Sequence, residues 1–202
     1  MRIIAGSRRG AKLTKLDAVN TRPTADRVRE SLFNILDSGR FGRALHEAVV
    51  IDAFAGTGAL GLEALSRGAT SACFVELSAD ALLVLRANIK KLGMHSHSQI
   101  IAGDATSLLH WPHAPATILF ADAPYHTGGG QKTAITLQLC GGLAAGAIVI
   151  LETHKSETID HDQLATAFLT HDETRICGKA ALHFFKTSGR PTTMVTCLAA
   201  PK

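Results

Sequence analysis

The stretch Val50 to Leu65, VIDAFAGTGALGLEAL, carries an acid, Asp52, just ahead of three spaced glycines, Gly56-x-Gly58-x-x-Gly61, and Glu76 follows 20 residues past the first glycine. Glycines at this spacing let the main chain of a strand-to-helix turn approach a small ligand without obstruction by Cβ. An acid at that distance can accept ribose hydroxyl protons. The pattern matches the dinucleotide-binding fingerprint, yet the glycines do not choose the ligand. Asp52 discriminates. A pyrophosphate placed beside it would meet like charge, whereas S-adenosylmethionine, with its sulfonium and ammonium, would meet opposite charge.

A second stretch, ADAPYH, carries the chemistry of the acceptor. Asp122-Ala123-Pro124-Tyr125 is close to the (D/N)-P-P-(Y/F) motif of amino-group methyltransferases. An exocyclic base nitrogen is a poor nucleophile because its lone pair is delocalised into the ring. The Asp122 carboxylate and the Ala123 carbonyl can accept its two N–H bonds, aim the lone pair and stabilise the positive charge that develops on nitrogen. Tyr125, the only tyrosine of the chain, offers a face on which an extruded base can stack, worth roughly 1–3 kcal/mol. Asp104, in AGDAT, has two readings: an acceptor for an adenine amino group, or the N-cap of a short helix. The ten histidines show no H-E-x-x-H or comparable spacing, and the four cysteines no C-x-x-C pairing. A metal site and a disulfide framework are therefore not expected, and the thiols read as reduced and structural. His126, beside Tyr125, reads as a bystander.

These residues must be held by a scaffold, and the order of elements defines one. The segments MRIIAG and KLTKL read as a short extended pair. A helix from about Thr24 to Asp37 follows, with Val28, Leu32, Ile35 and Leu36 on one face and Gly39 as its stop. From Ala48 onward, strands and helices alternate: AVVIDAF, SACFVE, SQIIAGD, ATILFADA and AIVILE are apolar throughout, as strands covered on both faces must be. The expected fold is α/β, a doubly wound parallel sheet whose last two strands, THDETRI and AALHFFK, form a hairpin at Gly178. Ligands of such sheets bind at the carboxyl ends of the strands, where Asp52, Glu76, Asp104 and Asp122 all fall.

Composition narrows the class further. At 202 residues with 46% hydrophobic and 19% charged content, one main domain with an accessory segment is expected, and no disorder. No apolar run approaches the ~18 residues of a membrane span, and the amino terminus lacks a secretory h-region, so a cytoplasmic protein is expected. Residues 1–45 hold ten bases against four acids, whereas the remainder holds eleven against thirteen. All the excess positive charge sits at the front, which favours a polyanionic partner such as nucleic acid.

From Met1 to about Lys186 the chain resembles the bacterial methyltransferases that modify guanine N2 in small-subunit ribosomal RNA, the RsmD family. The resemblance rests on MRIIAGSRRGAKL, RPTADRVRESLFNIL, DAFAGTGALGLEALSRGA, FVE, DAPY and GKAALHFFK. It implies a Rossmann-like, seven-stranded class I methyltransferase fold over residues 46–187, behind a basic RNA-holding extension over 1–45 made of a hairpin and a helix. The donor would be S-adenosylmethionine, and the partner ribosomal RNA or the assembling small subunit. Asp52, Phe54, Gly56, Gly58, Glu76, Asp104 and Ala105 would line the cofactor, Asp122, Ala123, Pro124 and Tyr125 would form the transfer site, and Arg8, Arg9, Arg22, Arg27 and Arg29 would contact RNA. Arg27 or Arg29 could instead pair with Asp26 or Glu30 within the helix.

Two features depart from the family pattern. Ala123 stands where the family has its first proline, which keeps the carbonyl and removes the ring's rigidity. The segment 188–202 extends past the family's usual end, with a strand-like TTMVTCL. Three rival readings share parts of the pattern. An NAD-dependent oxidoreductase gives no role to Asp122-Tyr125 or to the basic front. An adenine-N6 DNA methyltransferase shares the acceptor motif but lacks a target-recognition domain here. A non-catalytic ribosome-assembly protein is favoured only by Ala123.

Overall fold

The computed structural model of the chain describes residues 1–16 and 23–189. Arg22, and residues 190–202 of the tail with TTMVTCL, lie outside the described residues. In chain order the elements are α1 (Pro23–Asp37), β1 (Val49–Ala53), α2 (Ala59–Ser66), β2 (Ser71–Glu76), α3 (Ala79–Leu92), β3 (Ser98–Ala102) and β4 (Ala116–Asp122). They continue with α4 (Gly129–Leu139), β5 (Leu143–His154), α5 (His161–Thr166), β6 (Leu169–Cys177) and β7 (Ala180–Thr187). Among the described residues these strands form one seven-stranded sheet in the order β3-β2-β1-β4-β5-β7-β6. The first five are parallel, and β7 runs antiparallel to both β5 and β6. The doubly wound sheet and the closing hairpin thus form as the alternation requires. β5 outgrows its apolar run AIVILE at both ends, because Leu143 pairs with Ala116 and His154 with Ala180.

The period-2 geometry of strands explains why these segments are apolar throughout. On β1, β4 and β5, Val50, Ile118, Phe120, Ile148 and Ile150 face the layer of α1, α2 and α3, packing with Leu32, Leu62 and Leu85. Their neighbours Ile51, Leu119, Ala121, Val149 and Leu151 face the opposite layer, with Ala134, Leu137 and Leu164. α1 buries Val28, Leu32 and Leu36, plus Phe33, whose ring lies 5.7 Å from that of Phe120.

Residues 1–16 belong to the same core, since Ile3 and Leu13 pack with α1 and α2. The extended pair meets at Arg2 and Lys12, with Ile3 N–H donating to Ala11 O at 3.0 Å and a single 3-10 turn, Gly6–Arg8, at its tip. Its anchor is Glu63 on α2, which is fully buried. Glu63 accepts from the amides of Ile4 (2.7 Å) and Ala5 (3.0 Å) and from Arg67 Nε (2.7 Å). Arg67 also pairs with Asp37 at the end of α1. One acid therefore ties the extension, α1 and α2 together. Helices that return from the carboxyl to the amino end of a parallel sheet run against its strands. The hairpin tip is fastened at the far ends of α2 and α3, through Arg8 N–H to Ser66 Oγ and Arg8 Nε–H to Leu92 O. The tip thus sits at the amino edge of the sheet.

Removing a buried charge that serves three donors strands all of them. Glu63→Ala is expected to lower stability by about 3 kcal/mol or more in urea unfolding, and to speed hydrogen exchange at the Ile4 and Ala5 amides. A loss under about 1 kcal/mol, with exchange unchanged, would rule Glu63 out as the anchor.

Candidate active site

At the carboxyl edge of the sheet the strands end in acids. Asp52 on β1, Glu76 on β2, Asp122 on β4 and Glu152 on β5 share strand parity with Val50, Phe74, Phe120 and Ile150, so all four lie on the α2 and α3 side of the sheet. Asp122 and Glu152 are register partners. Among the described residues no base forms an ion pair with these four acids; the ion pairs lie elsewhere, as those of Arg67 with Glu63 and of Arg40 with Asp172 and Glu173. Burial and mutual repulsion therefore act on Asp52 and Asp122 with no ion pair to offset them. Asp52 is pushed up to about 7, by burial first and by Glu76 in addition, against the hydrogen bond it accepts from Gly61. Asp122 is raised well above the ordinary carboxylate range by desolvation, then by Glu152 and Asp52. Its side chain opens onto the cleft, and the water there moderates the effect. Glu152 is also raised, mainly by burial.

A cleft of about 800 Å³ lies beside this row, lined by Phe54, Val75, Glu76, Leu77, Asp104 and Ala105 at one end and by Asp122, Ala123, Pro124 and Tyr125 at the other. The structure thus brings eight of the sequence-selected residues together. Phe54 holds a left-handed backbone (φ 62°), a conformation uncommon for a bulky side chain and often found at ligand sites. Glu76 accepts from Gly56 N–H (2.7 Å) and Ser78 N–H (2.7 Å), which aims its carboxylate along the cleft wall. Asp104 caps the turn Ala105–Ser107, accepting from Thr106 N–H (2.8 Å) and Thr106 Oγ1 (2.9 Å), and these bonds lower its proton affinity. The N-cap reading of Asp104 is therefore realised, with the carboxyl still at the cleft.

Three selected cofactor residues stand differently. Asp52 is 1% exposed and accepts from Gly61 N–H at 2.8 Å, so it braces the turn from beneath instead of lining the cleft. Gly58 faces inward, where a Cβ would come within 2.4 Å of Leu85, and Gly61 likewise lies against the Phe74 ring. These two glycines serve helix packing. Gly56 alone of the three has open space over its Cα.

The loop after β4 is clamped despite Ala123. Thr127 Oγ1 donates to Pro124 O (2.7 Å), and Glu157 accepts from the amides of His126 (2.8 Å) and His154 (2.7 Å). Ala123 itself is buried against the start of α4. Tyr125 is 39% exposed, and its hydroxyl donates to Glu152 Oε1 at 2.9 Å. Glu152 was not among the residues singled out from the sequence. The signal was present: it ends the apolar run AIVILE as Glu76 ends SACFVE.

The arginines scatter. Arg29 is 6% exposed, with its guanidinium donating to Arg2 O (2.9 Å) and Asp26 (3.0 Å), which removes it from any RNA surface. Arg8 and Arg9 are exposed but sit at the hairpin tip, on the edge opposite the cleft. Arg27 is exposed on the first half of α1; the next turn of that helix meets the end of β6 through Ser31 and Cys177, which puts Arg27 on the cleft side.

The row of acids favours a cationic ligand over a pyrophosphate, and the apolar walls at Phe54, Val75 and Leu77 suit an adenine ring and an aliphatic chain. Those properties fit S-adenosylmethionine. A sheet in this order, with a glycine turn after its first parallel strand and acids closing the next, defines the S-adenosylmethionine-dependent class I methyltransferases. Within that class the chain belongs to the RsmD family: the family model described as Conserved hypothetical protein 95 matches residues 1–186. Ribosomal RNA small subunit methyltransferase D of Escherichia coli is 38% identical over 153 residues, 76% of this chain and 74% of that protein. The protein of the same name from Haemophilus influenzae is 34% identical over 162 residues, 79% of this chain and 81% of its own. Among solved structures, yhhF from Escherichia coli has a TM-score of 0.78 at 32% identity, over 94% of this chain and 99% of that one. An RNA methyltransferase from Salinibacter ruber in complex with S-adenosyl-L-homocysteine shares the fold alone, with a TM-score of 0.59 at 16% identity over 85% and 95% of the two chains.

A carboxyl that binds its proton more tightly folded than unfolded stabilises the fold at low pH. For Asp52 that contribution is whole below about pH 4 and is lost as pH rises to about 7. Stability measured by urea should therefore fall between about pH 4 and about pH 7, and Asp52→Asn should lessen the fall. An equal slope in the variant would contradict this burial of charge.

Proposed function

We propose that the chain transfers the methyl group of S-adenosylmethionine to the exocyclic N2 amine of a guanine in small-subunit ribosomal RNA. The observation that carries this reading is the acceptor end of the cleft, where Asp122-Ala123-Pro124-Tyr125 closes β4 beside a second acid, Glu152. The relatives' name, Ribosomal RNA small subunit methyltransferase D, supports the polymer. Guanine's Watson–Crick edge presents N1–H and N2–H side by side, and acidic acceptors suit two adjacent donors. Adenine would turn a ring lone pair toward them.

When bound, the donor supplies an electrophilic methyl group. This chain's residues do the rest. Glu76 would hold ribose hydroxyls, with Phe54, Asp104 and Ala105 around the adenosine and Gly56 leaving room for the chain. Asp122 and the Ala123 carbonyl would accept the two N–H bonds of the amine, which directs its lone pair and stabilises the charge growing on nitrogen. Pro124 limits the loop's backbone freedom, and Tyr125 provides the stacking face. Asp122 or water takes the proton that the amine releases. Among the described residues no lysine or arginine lines the cleft, so phosphates would be held outside it. Arg27, Lys155 and Lys179 are exposed on the cleft side and Arg8 and Arg9 on the opposite edge, which suits a large, folded RNA substrate in the cytoplasm.

The test is transfer of labelled methyl from S-adenosylmethionine to small ribosomal subunits from cells lacking the gene, followed by nucleoside analysis. Label in N2-methylguanosine is expected. Label in N6-methyladenosine would replace the guanine reading with the adenine one. Bound cofactor without transfer would make this chain a non-catalytic relative.

A further inference from the structure

Several acids of this molecule are occupied by its own main chain. Asp52 holds the Gly61 amide, Glu63 those of Ile4 and Ala5, Glu76 those of Gly56 and Ser78, Asp104 that of Thr106, and Glu157 those of His126 and His154. Glu152, like its register partner Asp122, is an exception among the acids around the cleft. It accepts from no amide and pairs with no base among the described residues, and its one hydrogen bond there comes from the Tyr125 hydroxyl at 2.9 Å. An acid set largely inside the protein without a structural partner is costly to the fold. Such a cost is expected where the group works on something else.

Its surroundings define that work. Glu152 ends β5 directly beside Asp122, its register partner on β4, and both project from the same face of the sheet. Its hydrogen bond fixes the swing of Tyr125, whose ring also leans on His154 at 5.8 Å. The lip of the cleft is thus built as a unit: one acid, Asp122, at the acceptor, and a neighbouring acid that grips the aromatic ring and places negative charge beside the first.

We propose that Glu152 is a positioning residue for the acceptor base: it fixes the ring on which the base stacks, and it sets the charge that Asp122 presents to the amine. The proposal rests on the amino-methyltransferase reading of this cleft but not on which base is modified. Two carboxylates side by side with Asp52 behind them resist ionising together. Asp122 faces Glu152 from β5 and Asp52 from β1, while Tyr125 faces Glu152, Asp122 and Glu157. Each acid beside it holds the Tyr125 phenol above its ordinary value, after burial as the first cause. Tyr125 also faces the His154 ring, and among the described residues no lysine or arginine forms an ion pair with Asp122 or Glu152.

The first readout needs no substrate. Because Tyr125 is the only tyrosine of the chain, tyrosinate absorbance of the folded protein titrates this phenol alone. Glu152→Gln keeps the shape and removes the charge, and should lower the phenol midpoint by roughly one unit or more. The same variant should move the acid limb of the kcat profile to lower pH, since Asp122 loses its charged neighbour. The affinity for S-adenosylhomocysteine should stay within about threefold. An unmoved phenol midpoint, or an unmoved acid limb, overturns the proposal while leaving the guanine reading intact. Loss of N2-methylguanosine in the unmodified protein would overturn that reading and leave the phenol titration unaffected. Should Glu152→Gln fail to fold, Tyr125→Phe tests the same bond from its other end. It retains the stacking face and loses the grip, so KM for the ribosomal subunit should rise several-fold with S-adenosylhomocysteine binding unchanged, and an unaltered KM would overturn the proposal.

Discussion

Four acids, Asp52, Glu76, Asp122 and Glu152, share one face of the sheet at the ends of four adjacent strands, and the rest of the structure is arranged around that concentration of like charge. Parallel strands impose it. Side chains alternate across the sheet, so acids at matching ends of neighbouring strands stand in a line, however far apart they are in the chain. Desolvation then raises Asp52, Asp122 and Glu152 together, and repulsion adds to it at Asp52 and Asp122. Amide donors offset part of the cost at Asp52 and Glu76, where the turn and its neighbour are drawn tight. A cationic ligand in the cleft would offset the remainder, and this is the physical reason why one glycine turn serves a sulfonium donor here and a pyrophosphate elsewhere.

The leading segment is part of the same construction. Glu63 fastens residues 4 and 5 to α2, and Asn88 on α3, fully buried, both accepts from and donates to the main chain at Thr14. The same Asn88 amide nitrogen donates to Thr57 O at 2.9 Å, inside the glycine turn. The basic extension and the cofactor turn therefore share a side chain. An extension held this way is a wall of the domain, and among the described residues its exposed arginines are distributed over two edges of the sheet instead of forming one patch.

Most of the sheet was legible in the sequence, because apolar runs of six to eight residues separated by helical periodicity admit few arrangements. SACFVE is the clearest case, since its six residues are the observed β2. The cleft was legible at Glu76, Asp104 and Asp122 because strand ends are where such sheets bind ligands. What could not be read was which neighbours each residue would meet. Gly58 and Gly61 look alike in a motif, but their reasons are the side chains of Leu85 and Phe74, set by packing of α3 and β2. Arg29 reads as one more surface base until the helix turns it under the hairpin to reach Arg2 O. Glu152 gains meaning only from the register that puts it beside Asp122.

A cleft with a cofactor end at β2 and β3 and an acceptor end at β4 and β5 is most directly tested by calorimetric titration of S-adenosylhomocysteine into two variants whose turnover is measured in parallel. Glu76→Ala should weaken binding by about tenfold or more. Asp122→Ala should bind within about threefold of the unmodified protein while losing turnover. Equal loss of binding in both variants would contradict the division and return the four acids to a single, undivided role.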